Sequence, residues 1–337
     1  DVFVFQRVAT VQTLHLIKVL QAYGKQVVFE IDDLLTTLPD FMKHHEASKA
    51  GQRSLIESIE LADVVTTTTK RLAQQLHNLN PRVLCVPNCI RTLPSSRQAH
   101  KDNEPVSLIV AASDRVLVDV LLPPLSALKQ KYGDQLRVFV IGPIVDSFKK
   151  AGLEIEQLPI LPYDEFKAFL LKVTNPIGLI PLDDSLFSSC KSPIKYFDYA
   201  VAQVPAICSN VPPYSDYVQN GNTGLLVDNQ ASAWQAAIES LILSSNERQR
   251  LSDAARHYVD QTHLEDEAGH AWLRVVDSLN IKRQSTVGLM EQAKLPFVMP
   301  SDVGWIIRKL VSPSTYAKLT QVIVSEGIAG IAKRMTR

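Results

Sequence analysis

The chain has 337 residues, with 35 Lys and Arg against 35 Asp and Glu, so its formal charge is zero; 46% of its residues are hydrophobic. These values are typical of globular domains and exclude a disordered or fibrous chain, while the lack of a basic excess argues against a dedicated nucleic-acid binder. The length predicts two domains with sizeable cores, and no apolar run approaches the ~20 residues of a membrane span.

Short apolar runs rich in Val and Ile alternate with helical patterns along the chain, which is typical of parallel α/β architecture. The predicted strands are residues 2–5, 26–31, 63–66, 82–86, 106–112, 136–141, 177–180, 204–208 and 225–228. The predicted helices are residues 13–23, 69–79, 115–131, 193–203, 232–243, 247–259 and 265–279. Because most strands are apolar throughout and do not alternate, we expect helices on both faces of the sheets.

Changes in composition divide the chain into four parts. Residues 92–104 are polar and without periodicity, which predicts a linker between a first domain (1–91) and a second domain (105–280). Glycine is scarce, and the glycine-rich turn that usually opens a doubly wound domain is missing, so we expect the first domain to be incomplete. The four cysteines form no CxxC pair, which favours reduced thiols in a cytosolic protein over a zinc site.

Residues 281–337 form a basic tail, with nine Lys and Arg against three Asp and Glu. Apolar residues recur at helical spacing over 303–311 and 314–335, so we expect a helical extension. Two interpretations stay open. The extension is either a solvated connection to another domain or a basic amphipathic surface that lies on anionic lipid.

Residues 190–198 (CKSPIKYFD) carry the clearest chemical signal. Ser192 and Pro193 predict a helix start, with Ser192 as N-cap and Pro193 at the first helical position. Lys191 and Lys195 crowd this positive helix end, which is unfavourable unless an anion binds there. The pattern therefore predicts a polyphosphate site. Asp198, one turn on, is a candidate ligand for ribose hydroxyls; alternatively the lysines are solvated and Asp198 merely pairs with Lys195.

These residues also carry a family resemblance. Residues 191–200 (KSPIKYFDYA) and 204–227 (VPAICSNVPPYSDYVQNGNTGLLV) resemble the donor-binding half of the group 1 glycosyltransferases, also called glycosyltransferase family 4. Similar segments are residues 27–39, 61–76, 82–90, 108–125, 247–259 and 270–279, so the resemblance covers residues 1–280. It implies the GT-B fold, in which two Rossmann-like α/β domains face each other across a cleft.

The resemblance further implies transfer of a sugar, with retention, from a nucleoside-diphosphate sugar, without a metal or other cofactor. The family has two acidic residues separated by seven others; Asp198 matches the second, but the first falls on Cys190. The family also supplies an arginine and a lysine from the first donor-domain loop to stabilise the leaving diphosphate. Arg115 fits the arginine, but the lysine falls on Val120, so Lys191 is the candidate substitute.

Glu30, Asp32 and Asp33 end a predicted buried strand, and three carboxylates so close together are costly without a task. In many relatives a histidine at this place contacts the transferred sugar. We therefore predict that Asp32 or Asp33 binds a sugar hydroxyl or acts as the acceptor base. The alternatives are a helix N-cap at Asp33, a pair with a nearby lysine, or a metal-binding DxD-type site.

The resulting prediction is a cytoplasmic glycosyltransferase that uses a nucleotide-sugar donor and a glycan or lipid-linked acceptor in cell-surface polysaccharide or glycoconjugate synthesis. The basic tail would suit a place at the inner face of the membrane, through residues 303–337. Two alternatives remain: a nucleotide-sugar epimerase of the same fold, and a non-catalytic nucleotide-sugar-binding module.

Overall fold

The computed structural model describes residues 2–37, 49–91, 97, 100–101, 104–112, 117–262 and 265–279. The strands are β1 (Val2–Gln6), β2 (Gln26–Ile31), β3 (Val64–Thr67), β4 (Val83–Cys85), β5 (Val106–Ala111), β6 (Leu136–Ile141), β7 (Glu156–Leu158), β8 (Pro176–Ile180), β9 (Ala206–Ser209) and β10 (Leu225–Val227). The helices are α1 (Val11–Ala22), α2 (Lys49–Leu61), α3 (Lys70–Leu76), α4 (Val118–Tyr132), α5 (Val145–Lys150), α6 (Tyr163–Lys172), α7 (Leu186–Ser189), α8 (Ile194–Val201), α9 (Tyr214–Tyr217), α10 (Ala231–Ile242), α11 (Ser245–Thr262) and α12 (Glu265–Ser278).

The first sheet has four parallel strands in the order β1-β2-β3-β4. Strand β2 is the most deeply placed, because Val27 to Ile31 are all buried between helices and neighbouring strands. In the register Gln6 pairs with Glu30, so the residues that follow β1 and β2 leave the sheet at the same edge.

The second sheet has six parallel strands in the order β10-β9-β8-β5-β6-β7. Apolar clusters cover both faces, as the uninterrupted apolar strands predict. The strand order changes direction at β5, which lies between β6 and β8. In open α/β sheets ligands bind at such a switch point, outside the carboxyl ends of the strands. This position is occupied by the end of β5 at Ala111 and the chain that leads into α8.

Two segments from the second half of the chain contact the first sheet. Ala271 and Val275 of α12, which the sequence prediction assigned to the second domain, pack against Val28 and Val64. Phe187 of α7 and the following Cys190 belong to the core of the first sheet. The start of residues 190–198, the predicted polyphosphate site and called the donor segment below, is therefore anchored in the opposite domain.

The described part of the predicted linker lies on the second sheet's domain. The backbone N–H of Arg97 donates to Gln203 Oε1 (3.0 Å), and its guanidinium donates to the carbonyl oxygens of Ala202 (3.1 Å) and Val173. His100 follows, with its Nδ1 3.4 Å from Nε of the buried Arg248. These contacts fix the start of β5 relative to α8 and α11.

The predicted fold class is confirmed, since two parallel-sheet α/β units are present in the order expected. The three-residue edge strand β7 and the helices α2, α5, α6, α7 and α9 were not predicted. The tail 281–337 lies outside the described residues. All four cysteines are free thiols, Cys190 and Cys208 being buried. None of the helices in the described ranges combines the length and the apolar character needed to cross a bilayer.

Candidate functional site

Helix α8 begins one residue later than predicted, and its N-cap position is taken by Pro193 and not by Ser192. Pro193 makes no side-chain capping bond; its carbonyl accepts from the N–H groups of Tyr196 (2.9 Å) and Phe197 (3.2 Å). The first turn contains no acidic residue. The positive end of α8 therefore keeps N–H groups that no capping side chain satisfies, which is the arrangement that binds anions.

Ser192 lies directly before this helix end, and its hydroxyl lacks a hydrogen-bond partner in the described structure. Its Oγ is buried and has no hydrogen-bond partner among the described residues. A buried hydroxyl without a partner costs roughly 1–3 kcal/mol, so such groups usually mark an unfilled interaction. The Ser192 hydroxyl can donate to an oxygen of a ligand at the start of α8.

The two predicted lysines, Lys191 and Lys195, have different contacts. Lys195 Nζ donates to the carbonyl oxygen of Ala111 (2.6 Å), which ties α8 to the carboxyl end of β5. Lys191 Nζ lies 5.0 Å from the ring centroid of Phe187. Arg115, the third predicted cation, lies outside the described residues, in the chain that follows β5. Val120, at the position of the family's lysine, lies in the first turn of α4.

Asp198 is buried in α8, with 7% of its surface exposed. Its Oδ1 accepts from the hydroxyl of Tyr163 (2.6 Å), a partner that was not predicted. Burial raises the pKa of Asp198 from 3.8 to about 6, against the lowering effects of the Tyr163 hydrogen bond and of Lys167 and Lys195. A carboxylate so placed is short of hydrogen-bond donors.

Asp32 and Asp33 are partnered by an arginine, where sequence reasoning considered a lysine. Arg7 Nη1 donates to Asp32 Oδ2 (3.2 Å) and Nη2 lies 3.6 Å from Asp33 Oδ2. Asp32 Oδ1 also lies 3.2 Å from Arg7 Nε, but in an orientation that makes no hydrogen bond, and this oxygen is buried without another partner in the described structure. The parallel pairing of β1 and β2 places Arg7 and the two aspartates at one sheet edge.

Contacts between the domains bring the two predicted groups of site residues together. Thr68 Oγ1 donates to the carbonyl oxygen of Asp32 (3.2 Å), and the next residue, Thr69, donates through Oγ1 to the carbonyl oxygen of Cys190 (2.8 Å). Cys190 directly precedes Lys191 in the chain. The Asp32–Asp33 segment and the start of the donor segment therefore face each other across one threonine pair.

A second contact across the domains joins α3 to α9. Arg71 Nε and Nη2 donate to Asp216 Oδ2 (2.9 Å) and Oδ1 (3.1 Å), and the Arg71 charge also acts on the Cys190 thiol. Burial raises the pKa of that thiol; the Asp33 charge adds to the rise, while Arg71 opposes it. At the position where the family resemblance implies an acidic residue, this chain thus has an uncharged thiol.

Sequence reasoning missed Tyr163 and Arg7, the two residues that hold the predicted carboxylates. Tyr163 begins α6, after an edge strand too short to be predicted, and no local pattern links it to α8. Arg7 could have been found, because it follows β1 directly and neighbouring parallel strands end at the same edge. In the described ranges no three His, Cys, Asp or Glu side chains are arranged to hold a metal ion.

Residues 192–258 match the family model described as Glycosyl transferases group 1. No curated protein sequence matches the chain. Among solved structures, a mutant of S. aureus TarM in complex with Fondaparinux, alpha-GlcNAc-glycerol and UDP is 13% identical, with a TM-score of 0.58 over 74% of this chain and 50% of TarM. This chain thus spans about half the length of TarM.

WaaG, a glycosyltransferase involved in lipopolysaccharide biosynthesis, is 15% identical, with a TM-score of 0.56 over 76% of this chain and 79% of WaaG. Anabaena Alr3699/HepE in complex with UDP-glucose is 12% identical, with a TM-score of 0.59 over 82% of this chain and 79% of HepE. The predicted resemblance is therefore confirmed: residues 192–258 match the group 1 glycosyltransferase family, and the two parallel-sheet domains have the GT-B fold of these proteins.

Proposed function

We propose that this chain transfers a sugar from a nucleoside-diphosphate sugar to a glycan or lipid-linked acceptor, with retention at the transferred carbon. The observation that carries the proposal is the buried, unpartnered hydroxyl of Ser192 at an α8 N-terminus that lacks acidic residues. This combination of hydrogen-bond donors and positive charge suits a diphosphate better than any neutral ligand.

In this proposal the start of α8 holds the diphosphate. The Ser192 hydroxyl and the N–H groups after Pro193 donate to phosphate oxygens, and Lys191 balances the charge that develops as the bond from the sugar to the diphosphate breaks. Lys195 holds α8 against the end of β5 through Ala111. Arg115, from the chain that follows β5, adds a second positive charge. No residue of this set requires a metal or another cofactor.

Asp198 is proposed to accept the ribose hydroxyls. Its buried carboxylate has one strong donor, the Tyr163 hydroxyl at 2.6 Å, and a raised pKa near 6. Ribose hydroxyls would supply further donors and so favour the ionised form, since hydrogen bonds to a carboxylate lower its pKa. Nucleotide binding should therefore release protons near pH 6.

The acceptor side rests on Asp32 and Asp33, at the edge of the first sheet that faces the donor segment. One of them is proposed to bind a sugar hydroxyl or to take the proton of the attacking hydroxyl. The TarM complex contains UDP and alpha-GlcNAc-glycerol, and WaaG is involved in lipopolysaccharide biosynthesis; both favour a UDP donor and a cell-surface acceptor. We propose the cytoplasmic side as the place of action, with the basic tail on anionic lipid.

The donor site is tested by calorimetric titration of the full chain with UDP, ADP and GDP. We expect micromolar binding of at least one of them, and a loss of at least tenfold in affinity for Lys191→Ala and for Asp198→Ala. Lys131→Ala is the control, because Lys131 lies outside the proposed site, in the last turn of α4, where it pairs with Glu239 (2.6 Å). Unchanged affinity in both site variants would refute the site.

The activity itself is tested by incubation with UDP-glucose, with and without a mixture of glycan and lipid-linked acceptors. A transferase releases UDP and forms a product that depends on the acceptor. Conversion of the sugar by the chain alone would indicate the epimerase alternative. Tight nucleotide binding without any turnover would indicate the non-catalytic module, for which the thiol at Cys190 is the strongest indication.

A further inference from the structure

Tyr163 connects an exposed helix start to the buried carboxylate of the proposed nucleotide site. It is the first residue of α6, and 51% of its surface is exposed. Its hydroxyl nevertheless donates to Oδ1 of the buried Asp198 over 2.6 Å. Hydrogen bonds from a hydroxyl to an ionised carboxylate have this short length and are about twice as strong as bonds between neutral groups. The contact is therefore strong enough to influence the charge state of Asp198.

The packing of α6 against α8 fixes this contact. The ring centroid of Phe166, one turn after Tyr163, lies 6.4 Å from that of Tyr199, the residue after Asp198. Tyr199 is fully buried, and Phe166 packs against the same apolar cluster of the second domain. The tyrosine hydroxyl is thus held at the carboxylate by the contact between two helices, in the chain without a ligand.

The Asp198 carboxylate depends on few groups to favour its charge. The titratable and charged residues that interact with it or with its tyrosine partner are Tyr163, Asp164 and Lys167 of α6 and Lys195 and Tyr199 of α8. Burial raises the pKa of Asp198 to about 6, and the Tyr163 hydrogen bond is the largest of the effects that oppose this rise. Burial, and then the bond to Asp198, raise the pKa of Tyr163 above its usual value, so the tyrosine remains a proton donor.

We propose that Tyr163 is a positioning residue of the nucleotide site, whose hydroxyl keeps the Asp198 carboxylate ionised and leaves its Oδ2 to accept from the ribose. The inference rests on the proposed function, in which Asp198 is the ribose ligand. It adds a residue of α6 to a site otherwise built from α8 and the chain after β5. Because Tyr163 acts through Asp198, its loss should weaken nucleotide binding where Asp198 titrates and not at higher pH.

The first test needs no ligand. Carbon-13 NMR of the full chain with labelled aspartate follows the Asp198 carboxyl group through its titration, and the signal is assigned by its absence from Asp198→Asn. Tyr163→Phe keeps the half-exposed ring and removes the hydroxyl. It should raise the pKa of Asp198 by about one pH unit, because one hydrogen bond to the charged form is lost. An unchanged pKa would overturn the inference.

Calorimetric titration with UDP, at about pH 6 and at about pH 8.5, measures the consequence for binding. The quantity compared is the ratio of the affinities of Tyr163→Phe and of the unaltered chain, in which the titration of UDP itself cancels. With the pKa of Asp198 one unit higher, the variant should bind UDP about fivefold more weakly at the lower pH and within about twofold of the unaltered chain at the higher pH. Equal weakening at both pH values would show a purely structural role and overturn the inference.

Tyr132→Phe is the matched control. Tyr132 ends α4 and also donates through its hydroxyl to one carboxylate oxygen, Glu239 Oε1 (2.8 Å), with Lys131 Nζ 5.3 Å from its ring centroid. This pair lies outside the proposed site, so its loss should change UDP binding at neither pH. In the Asp198→Asn background, Tyr163→Phe should have no effect that depends on pH. Such an effect would show that Tyr163 acts through another group, and would overturn the inference.

The inference and the proposed function fail in different ways. Absence of UDP binding by the unaltered chain at both pH values would refute the proposed function, and the inference with it. UDP binding that is sensitive to Lys191→Ala, together with a Tyr163→Phe ratio that is the same at both pH values, would overturn the inference and leave the proposed function standing.

Discussion

Replacement of Ser192 by alanine should have opposite effects on folding and on binding. The Ser192 hydroxyl is buried without a partner in the described structure, so the folded chain bears its desolvation cost without a hydrogen bond in return. Removing the oxygen should stabilise the ligand-free chain by about 1 kcal/mol. For a protein of this size that corresponds to a rise of about 2–4 °C in the midpoint of thermal unfolding.

The same substitution should weaken diphosphate binding. A hydrogen bond to a charged group contributes about 1.5–3 kcal/mol, which corresponds to a loss of roughly 10- to 100-fold in affinity for UDP. Thermal unfolding with and without UDP measures both effects in one experiment. The unliganded midpoint should rise, while the increase that UDP produces should shrink.

Ser107→Ala separates this explanation from a general effect of removing a buried hydroxyl. Ser107 Oγ is also buried without a partner in the described part of the chain, but it lies at the amino end of β5, away from α8. The control should raise the midpoint and leave the UDP effect unchanged. A Ser192→Ala variant that is less stable and binds UDP normally would refute the reasoning, since the hydroxyl would then have a structural role.

Three further substitutions test the electrostatics and packing around the cleft. Asp198 has a raised pKa in the folded chain, so its contribution to stability is present below pH 4 and is lost as the pH rises through 6. Asp198→Asn should therefore raise the free energy of unfolding by about 2 kcal/mol at pH 7 and leave it unchanged at pH 4, as thermal unfolding across this range would measure. The pKa of His100 shifts the other way: burial, then Arg248 and Arg97, lower it to about 4, against the weaker opposing effect of Asp253. The free energy of unfolding should therefore fall by up to about 2 kcal/mol as the pH drops from 6.5 to 4, and His100→Gln should remove this loss. Phe187→Ala should cost about 3 kcal/mol in urea unfolding, because the ring is buried in the core of the opposite domain; a cost below 1 kcal/mol would contradict that packing.

The strands were predictable because a strand buried on both faces of its sheet consists mostly of consecutive apolar residues. Residues 27–29 and 138–141 are uninterrupted apolar runs, and the structure bounds both strands as predicted, at residues 26–31 and 136–141. Strand β7 was missed for the converse reason. Its residues Glu156 and Gln157 are exposed at the sheet edge, and three polar-rich residues carry no periodicity.

One part of the site was predictable because its residues are close in sequence. Lys191, Ser192 and Lys195 meet at one helix end because the helix itself brings them together. The partners of the carboxylates could not be predicted in this way, since Tyr163 is 35 residues from Asp198 and Arg7 is 25 from Asp32. Their meeting depends on the order of the strands, which is a property of the folded chain. The wrong N-cap assignment has a local cause, because Pro193 occupies the cap position itself.

The return of α12 to the first sheet means that the chain passes between the domains twice. The first passage lies between Val86, which packs on the first sheet, and Ile90, which packs in the core of the second domain. The second lies between α11, which packs on the second domain through Ala255 and Val259, and α12 on the first. A rotation of one domain against the other must therefore bend both passages together, which confines the motion to an axis near them. Proteolytic cleavage in the first passage would leave the two domains attached to each other through the second passage.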